Sequence, residues 1–245
     1  MTRKWFLLIL ISILWGHNPE KNIPRWIAYS RGGLVNVKKN NSGGATYFRL
    51  KRTTNYTFRD VRFYAHIFGS DQDIRFRQKS SRRFVSLPWL YNFTTASYQR
   101  NTLVDVALRY HYNQGLGILI RNTDRGNMTT EMGMAYDMSD YLDGKQKTSY
   151  LKQKTSYLKI AFTHDKYYRY LTTKLELDYF HQISDINVYN LSRFQVLAEL
   201  QWEFYQNLKL IGGIYQELPT DKLYNNQNAL IYVTIDWSKQ LQWSY

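Results

Sequence analysis

The sequence predicts an all-β protein, an antiparallel up-and-down transmembrane β-barrel of about 12 strands. Three observations support this fold class. Apolar and polar side chains alternate over long runs, clusters of turn-forming residues separate the runs, and aromatic residues make up 17% of the 245 residues. The mean hydropathy of −0.53 is too low for a helical membrane protein. It suits a barrel, in which only alternate residues face lipid.

The clearest alternation lies in the last run of the chain. One parity reads Ala229, Ile231, Val233, Ile235, Trp237, Lys239, Leu241, Trp243 and Tyr245. The other parity reads Leu230, Tyr232, Thr234, Asp236, Ser238, Gln240, Gln242 and Ser244. Strict alternation indicates a strand with two different faces. A tilted strand needs about nine to eleven residues to cross a membrane, and this run is long enough.

Charged residues on the polar parity indicate which face of the barrel wall is wet. A charge facing lipid near the bilayer midplane costs about 2–4 kcal/mol, whereas a charge facing a wet interior costs little. We therefore expect the charges of the alternating runs to line the lumen. This set comprises Asp105, Arg109, Glu131, Lys174, Glu176, Asp178, Glu199 and Glu203.

The alternating runs predict thirteen strand segments, one more than the even number typical of single-chain bacterial barrels. They cover 25–38, 45–56, 61–70, 74–80, 84–93, 102–111, 114–122, 127–138, 156–164, 171–183, 193–204, 207–216 and 228–245. We expect twelve strands, with the surplus in the arginine-rich stretch 74–93. Pro88 within that stretch indicates an edge, a bulge or the end of a strand.

The N-terminus has the proportions of an export signal. A basic start, Met1 to Lys4, precedes an apolar run from Trp5 to Trp15 that is too short to span a bilayer as a helix. We expect a signal peptide over 1–16 with cleavage near Gly16, or alternatively an uncleaved anchor. Residues 17–245 are then a single outer-membrane barrel domain, located in the bacterial outer membrane.

The first half of the chain is strongly basic. Residues 20–110 hold 17 Lys and Arg against 5 Asp and Glu, whereas residues 111–245 hold 14 of each kind. Export excludes nucleic acid as the partner, so lipopolysaccharide phosphates or anions in the lumen are the expected contacts. A solvated charged face is the alternative. The basic candidates are Arg49, Lys51, Arg52, Arg75, Arg77, Arg82 and Arg83.

The C-terminal run resembles the β-signal of outer-membrane proteins, a terminal aromatic residue preceded by alternating hydrophobic residues. Trp237, Leu241, Trp243 and Tyr245 carry the resemblance, and Lys239 departs from it. The resemblance implies that the barrel assembly machinery recognises the last strand.

A second resemblance is to the putative salt-induced outer-membrane proteins, a bacterial family of unknown function. It rests on Gln114 to Gly117, Asn122 to Arg125 and Glu131 to Tyr136, about a tenth of the chain. Ile118 and the pair Met134 and Ala135 depart from the family pattern. The resemblance implies a barrel and supplies no catalytic residues.

The sequence carries few signs of catalysis. There is no Cys, the five His have no metal-ligand spacing, and no phosphate-loop motif occurs, so no metal or cofactor is expected. A lipid-modifying barrel enzyme would need a Ser and an oriented His. The nearest candidates are His181 with Ser184, and His164 with Asp165.

An exact repeat, QKTSYLK, occupies 146–152 and again 153–159. Seven is odd, so an insertion of this length within a strand would move later side chains to the other face. We expect the first copy to lie in a loop.

The expected function is that of an integral outer-membrane barrel, either a narrow pore or a structural element of the envelope, with a charged and anion-attracting lumen. The alternatives are a lipid-modifying enzyme of the outer membrane and a soluble secreted β protein that binds an anionic polymer. The sequence does not determine the oligomeric state.

Overall fold

The computed structural model describes residues 24–37, 41–69, 71–142, 149–184, 190–220 and 229–243. The predicted signal peptide lies outside this part of the chain. Within it, twelve strands alternate along the sequence with short connections. They are β1 Arg25–Val37, β2 Asn41–Thr53, β3 Thr57–Phe68, β4 Asp71–Arg83, β5 Leu90–Asn101, β6 Val106–Thr123, β7 Gly126–Leu142, β8 Ser149–Tyr167, β9 Leu171–Gln182, β10 Arg193–Tyr205, β11 Leu208–Pro219 and β12 Leu230–Leu241.

The strands form one closed sheet in which each strand pairs with its neighbours in the sequence. All pairings are antiparallel, and β1 closes the ring against β12 from Trp26 opposite Leu241 to Val37 opposite Leu230. Closure leaves no strand edge with unpaired backbone groups. The predicted fold class, an all-β up-and-down barrel of about 12 strands, is confirmed.

The barrel has two unlike ends. Both chain termini of the barrel, Arg25 and Leu241, lie at one end, which we call the terminal end, and the opposite end is the distal end. The connections at the terminal end have two to six residues, whereas those at the distal end have two to ten. A short 3₁₀ helix, Thr102–Val104, lies in the distal connection between β5 and β6.

The predicted position of the surplus strand was wrong. The arginine-rich stretch does hold two strands, β4 and β5, and Pro88 lies in the connection between them. The surplus arose instead at 102–122, where two predicted strands are the single strand β6. Asn113, Gln114 and Gly115 have the composition of a turn, yet they continue the strand, and Gly115 pairs opposite Gly133 of β7.

The heptapeptide repeat also differs from the prediction. β8 begins at Ser149, so it contains the last four residues of the first copy and all of the second copy. The odd repeat length places equivalent residues on opposite faces, because Lys152 is exposed whereas Lys159 is buried. The polar sequence accommodates this change, since it places no long apolar run on the inner face.

Alternation along β12 divides the two faces as its sequence predicts. Ile231, Val233 and Ile235 are each 53% exposed, whereas Tyr232, Thr234 and Asp236 between them are buried. The same division recurs around the ring, so apolar side chains cover the outside of the barrel and charged ones fill the inside. Within the described part of the chain, no helix is long and apolar enough to cross a membrane.

The tryptophans mark the terminal end. All five in the described residues lie there, at Trp26 on β1, Trp89 between β4 and β5, Trp202 on β10, Trp237 on β12 and Trp243 beyond it. Four of them are exposed, and the rings of Trp26 and Trp243 meet edge to face at 5.4 Å. The outside of the barrel therefore carries an aromatic belt at one end.

Candidate functional site: the charged barrel interior

Ion pairs cross the interior of the barrel. Arg62 of β3 places its Nη1 atom 3.5 Å from the Oε1 atom of Glu176 on β9, a strand on the opposite side of the ring. Arg77 of β4 lies 4.0 Å from the other carboxylate oxygen of the same glutamate. These contacts mean that side chains from facing walls meet near the centre of the barrel and narrow it there.

Arg31 joins three strands on one side of this crossing. Its Nη1 atom donates to Glu199 of β10 at 2.7 Å, and its Nε atom donates to Asp236 of β12 at 3.0 Å. The guanidinium also lies over the Tyr47 ring, 4.4 Å from its centroid. A fork of donors that engages two carboxylates and a ring holds its position better than an ammonium group would.

A second network fills the distal half of the interior. Arg109 Nη1 lies 3.1 Å from Glu217, Arg193 Nη2 lies 2.8 Å from Asp137, and His111 Nδ1 lies 2.5 Å from the same aspartate. All five side chains are at most 11% exposed. Removing one partner from a buried network of this kind leaves an uncompensated charge, which costs about 3–5 kcal/mol.

Two interior tyrosines each hold a glutamate in the same way, through a hydroxyl hydrogen bond and a ring packed over a glycine. The Tyr91 hydroxyl donates to Glu131 at 2.8 Å, and its ring lies over the bare backbone of Gly117. The Tyr232 hydroxyl donates to Glu199 at 2.7 Å. Its ring covers Gly213. Each glycine leaves room for an aromatic ring that packs flat against the wall, as in the aromatic rescue of glycines in sheets.

Within the described residues, two cavities occupy the interior. The terminal-end cavity has a volume of about 1660 Å³ and the distal cavity about 1170 Å³. Four residues line both of them, namely Arg31, Arg77, Glu176 and Asp178. The cross-barrel pair of Arg77 and Glu176 thus lies between the two cavities.

The two halves of the interior differ in access to water. At the distal end, inward apolar side chains pack into a cluster in which Val35, Phe68, Ile211 and Leu230 are at most 2% exposed. Leu103 of the 3₁₀ helix packs against this cluster. At the terminal end, inward residues such as Lys51, Lys79 and Lys174 keep partial exposure. The interior is therefore a cup that opens at the terminal end and is closed at the distal end by apolar side chains.

Six of the eight predicted lumen charges lie in interior ion pairs. Lys79 binds Glu131 at 2.5 Å, Lys174 binds Glu176 at 2.7 Å, and Lys159 binds Asp178 at 3.1 Å. Arg109 and Glu199 pair as described above. Glu203 is on the inward parity near the end of β10, but its side chain is 44% exposed and lies 3.7 Å from Lys209.

Asp105 was assigned wrongly to a strand. It follows the 3₁₀ helix in the left-handed conformation, with φ of 54°, and its carbonyl accepts a hydrogen bond from the Leu142 amide. It therefore belongs to the distal connection and not to the barrel wall. A register shift between Val106 and Leu108 accompanies the change from connection to strand, so the parity extrapolated back from Arg109 does not hold.

The predicted basic residues divide between the two faces of the wall. Arg49, Lys51, Arg77 and Arg83 line the terminal-end cavity, and Arg75 lines the distal one. Arg49 pairs with Asp60 at 2.6 Å, and Arg75 pairs with Asp73 at 2.5 Å. Arg52 and Arg82 lie on the opposite parity and face outward. The sequence left open whether the basic residues face the interior or the outer surface. The structure places five of them inside and two of them outside.

The residues of the predicted β-signal lie on the outside of the closing strand. Trp237 and Leu241 belong to the outward parity of β12, and exposed Trp243 follows the strand. Tyr245 lies outside the described residues. Recognition of this strand by the assembly machinery stays a prediction.

Several residues of the interior were not singled out from the sequence. Asp60, Asp73, Asp137, Arg193 and Glu217 are buried and paired, and each lies on the inward parity of its strand. Parity within each run could have identified them. Their partners could not have been identified, because Arg31 and Glu199 are 168 positions apart in the sequence.

The two residue pairs considered for catalysis are not brought together. Asp165 lines the terminal-end cavity, and His164, next to it on β8, points to the other face. Exposed His181 contacts the Tyr179 hydroxyl at 3.4 Å, whereas the Ser184 hydroxyl accepts a hydrogen bond from the Ser156 amide. Among the described residues, no group of three or more His, Cys, Asp or Glu is arranged to hold a metal ion.

Fold and interior together define a class, a closed twelve-stranded antiparallel barrel that is apolar outside and ion-paired inside. The chain is similar to the NanC porin, with a TM-score of 0.55 and 10% identity over 86% of this chain and 99% of that one. It is also similar to the KdgM porin, with a TM-score of 0.47 and 10% identity over 86% and 98%. The translocator domain of the autotransporter NalP from Neisseria meningitidis gives 0.46 and 13% over 96% and 94%.

Only the first of these three scores exceeds 0.5, and at 10% identity it bears on the fold alone. No family model matches the sequence, and no curated protein matches it. The resemblance to the putative salt-induced outer-membrane proteins therefore stays a prediction.

The packing of Tyr91 over Gly117 leads to a testable prediction. Gly117→Val places a side chain in the space of the Tyr91 ring and displaces the hydroxyl from Glu131. We expect the free energy of unfolding to fall by about 1–3 kcal/mol, the usual cost of overpacking. Urea denaturation of the refolded barrel in detergent measures this value.

The matched control is Gly212→Val, a glycine on β11 with nothing within 4 Å of an added Cβ. It should change the free energy of unfolding by less than about 0.5 kcal/mol. Equal losses in the two variants would contradict the role assigned to the Tyr91 ring.

Proposed function

We propose that this chain is an integral barrel of the bacterial outer membrane whose interior is a narrow, anion-attracting pathway, closed at its distal end in the state described. The observation that carries the proposal is the inverted distribution of side chains, with exposed apolar residues outside and buried, paired charges inside. A soluble protein would place its apolar residues in the core.

The outer surface supports insertion into a membrane. Twelve strands of 12 to 19 residues exceed the nine to eleven that a tilted crossing needs. Their outward residues include the exposed set Leu34, Phe48, Phe76, Leu116, Met132, Ile160 and Leu200. The tryptophan belt at the terminal end is where membrane barrels place aromatic residues, at the boundary between lipid and water.

The connections support one orientation. Membrane barrels of this type have short periplasmic turns and longer extracellular loops. The terminal end carries the shorter connections, so it faces the periplasm in this proposal and the distal end faces the outside of the cell. The open cup is then accessible from the periplasm.

The terminal-end cavity supports attraction of anions. Nine Lys and Arg line it against five Asp and Glu. Lys51 and Arg83 make no ion pair within the described residues, and Lys51 lies 5.8 Å from the Phe58 ring centroid. A cavity with this excess of positive charge raises the local concentration of anions.

The packed distal half supports a closed state, and it also favours a second candidate, a structural barrel without transport. The two candidates differ in one property, because a pathway conducts once its distal packing is loosened and a filled structural barrel does not.

We further propose that export depends on the N-terminal signal and that the assembly machinery recognises the last strand. The family of putative salt-induced outer-membrane proteins fits this proposal.

The membrane face can be tested with one charge. Leu200 on β10 is exposed and faces outward, whereas Gln201 next to it faces the terminal-end cavity and bonds Glu199 at 2.8 Å. Leu200→Arg should lower the free energy of unfolding in lipid vesicles by about 2–4 kcal/mol, because the charge enters hydrocarbon.

Gln201→Arg, one position away, is the matched control. It adds the same charge beside a carboxylate inside the barrel, so it should cost much less than Leu200→Arg. A loss in the control as large as in Leu200→Arg would count against lipid on the outer face.

The ion preference can be tested in planar bilayers. Reversal potentials in a salt gradient should show that anions permeate better than cations. Neutralising Lys51 and Arg83 together should lower that preference at least fivefold at low salt, since each charge about 8 Å from a permeating ion attracts an anion and repels a cation by ~0.5 kcal/mol in water. Arg121→Gln, exposed beyond the interior, should leave it unchanged.

Phe68→Ala separates the pathway from the structural candidate. Phe68 is 1% exposed within the distal apolar cluster, and its removal leaves a void at the closed end. The pathway predicts that this variant conducts more than the unmodified barrel. If neither the unmodified barrel nor Phe68→Ala conducts after insertion, the result would support the structural candidate and contradict transport.

A further inference from the structure

Three arginines face outward on adjacent strands at the terminal end. They are Arg52 of β2, Arg59 of β3 and Arg82 of β4. The connection that follows β4 lies beside them and exposes Val85, Leu87 and Trp89. We call these six residues the outer basic patch. Basic and apolar side chains stand side by side on a surface that otherwise faces lipid.

The strand register sets two of these charges against each other. Arg52 and Arg59 are directly opposite, on the same face of a β2–β3 pairing. Side chains so placed have Cβ atoms about 4.5–5.5 Å apart, and like charges there destabilise the sheet. Neither arginine makes an ion pair within the described residues. Arg52 instead donates to the Thr57 hydroxyl at 3.3 Å and lies 5.8 Å from the Trp26 ring centroid.

The height of the pair on the barrel wall identifies its surroundings. Trp26 pairs opposite Arg52, so the two arginines lie level with the tryptophan belt. One step toward the middle of the wall, Leu50 and Val61 face outward from the same two strands, and Phe48 and Phe63 follow. The surface therefore changes from cationic to apolar along the direction of the bilayer normal.

From this arrangement we infer that the outer basic patch binds the phosphate headgroup of an anionic phospholipid. The headgroup phosphate lies between Arg52 and Arg59, and the acyl chains follow the apolar side chains below. Arginine forks match phosphate oxygens and form charge-assisted hydrogen bonds with them. An anion between the two guanidinium groups also removes their mutual repulsion, which gives this position a preference over neighbouring parts of the wall.

The choice of a glycerophospholipid follows from the orientation, and the inference rests on the proposed insertion into the outer membrane. The patch lies at the terminal end, which faces the periplasm in that proposal. The lipid there belongs to the inner leaflet. Lipopolysaccharide, in the opposite leaflet, would meet the distal end instead.

The test uses the full-length protein in vesicles made from equal parts of phosphatidylcholine and phosphatidylglycerol. Native mass spectrometry of the barrel released from these vesicles counts the lipids that it retains. Arg52→Gln with Arg59→Gln should lower the retention of phosphatidylglycerol roughly tenfold or more. Arg121→Gln with Arg169→Gln, two exposed arginines elsewhere at the terminal end, should leave the retention unchanged.

Gel migration before and after heating, on the same samples, reports whether the barrel has folded and inserted. Failure to insert would overturn the proposed function. Insertion with equal retention of the two phospholipids, or equal loss in both double variants, would overturn the lipid site alone. The measurement is repeated with vesicles that contain lipid A. Retention of lipid A that depends on Arg52 and Arg59 would overturn the assignment of the site to a glycerophospholipid.

Discussion

Alternation of charged and apolar side chains along most strands places the charges in a closed interior, where most of them form ion pairs. A closed ring of twelve strands has no free edge, so a charged side chain on the inner face cannot reach solvent past the side of the sheet. The charges of one wall therefore reach across to the other, as Arg62 does to Glu176. Most other features of the interior, including its tyrosines, its glycines and its two cavities, follow from this requirement.

The interior is polarised along the barrel axis. Apolar side chains close the distal end beyond the distal cavity, which the network around Asp137 lines, whereas the terminal half is open to water and lined by an excess of Lys and Arg. Side chains buried near 0% cannot also line a water-filled pore, so the distal end of the barrel is closed. The proposed function depends on two properties. One is the positive potential of the terminal-end cavity, and the other is the apolar cluster that closes the distal end.

The same alternation also determines which basic residues lie on the outer surface. On β2 to β4, a shift of one position moves a basic residue from the interior to the outer face, as the neighbours Lys51 and Arg52 show. Most interior arginines pair with carboxylates, for example Arg49 with Asp60. The outward pair of Arg52 and Arg59 makes no ion pair with a carboxylate of the described residues, and it lies where headgroups would be in a membrane.

The sequence predicted the strands best where alternation is long and unbroken, as in β10 and β12. It was wrong at 102–122, because a segment of Asn, Gln and Gly has the composition of a turn but continues as β6, where Gly115 lies opposite Gly133. It was wrong at Asp105 because a register shift ended the parity on which the prediction rested. The ion pairs could not be predicted, since strand parity gives the face of a residue but not its partner across the ring.

The chain has no native Cys, so single cysteines can report the environment of each wall position. Spin labels at positions 231 to 236 of β12, measured in vesicles with oxygen and a water-soluble nickel chelate, show whether alternate side chains of the wall face lipid. Lipid on the outer face and a closed, charged interior predict high oxygen access and low chelate access at 231, 233 and 235, and low oxygen access at 232, 234 and 236. Oxygen access without a period of two, or chelate access at the odd positions, would contradict it.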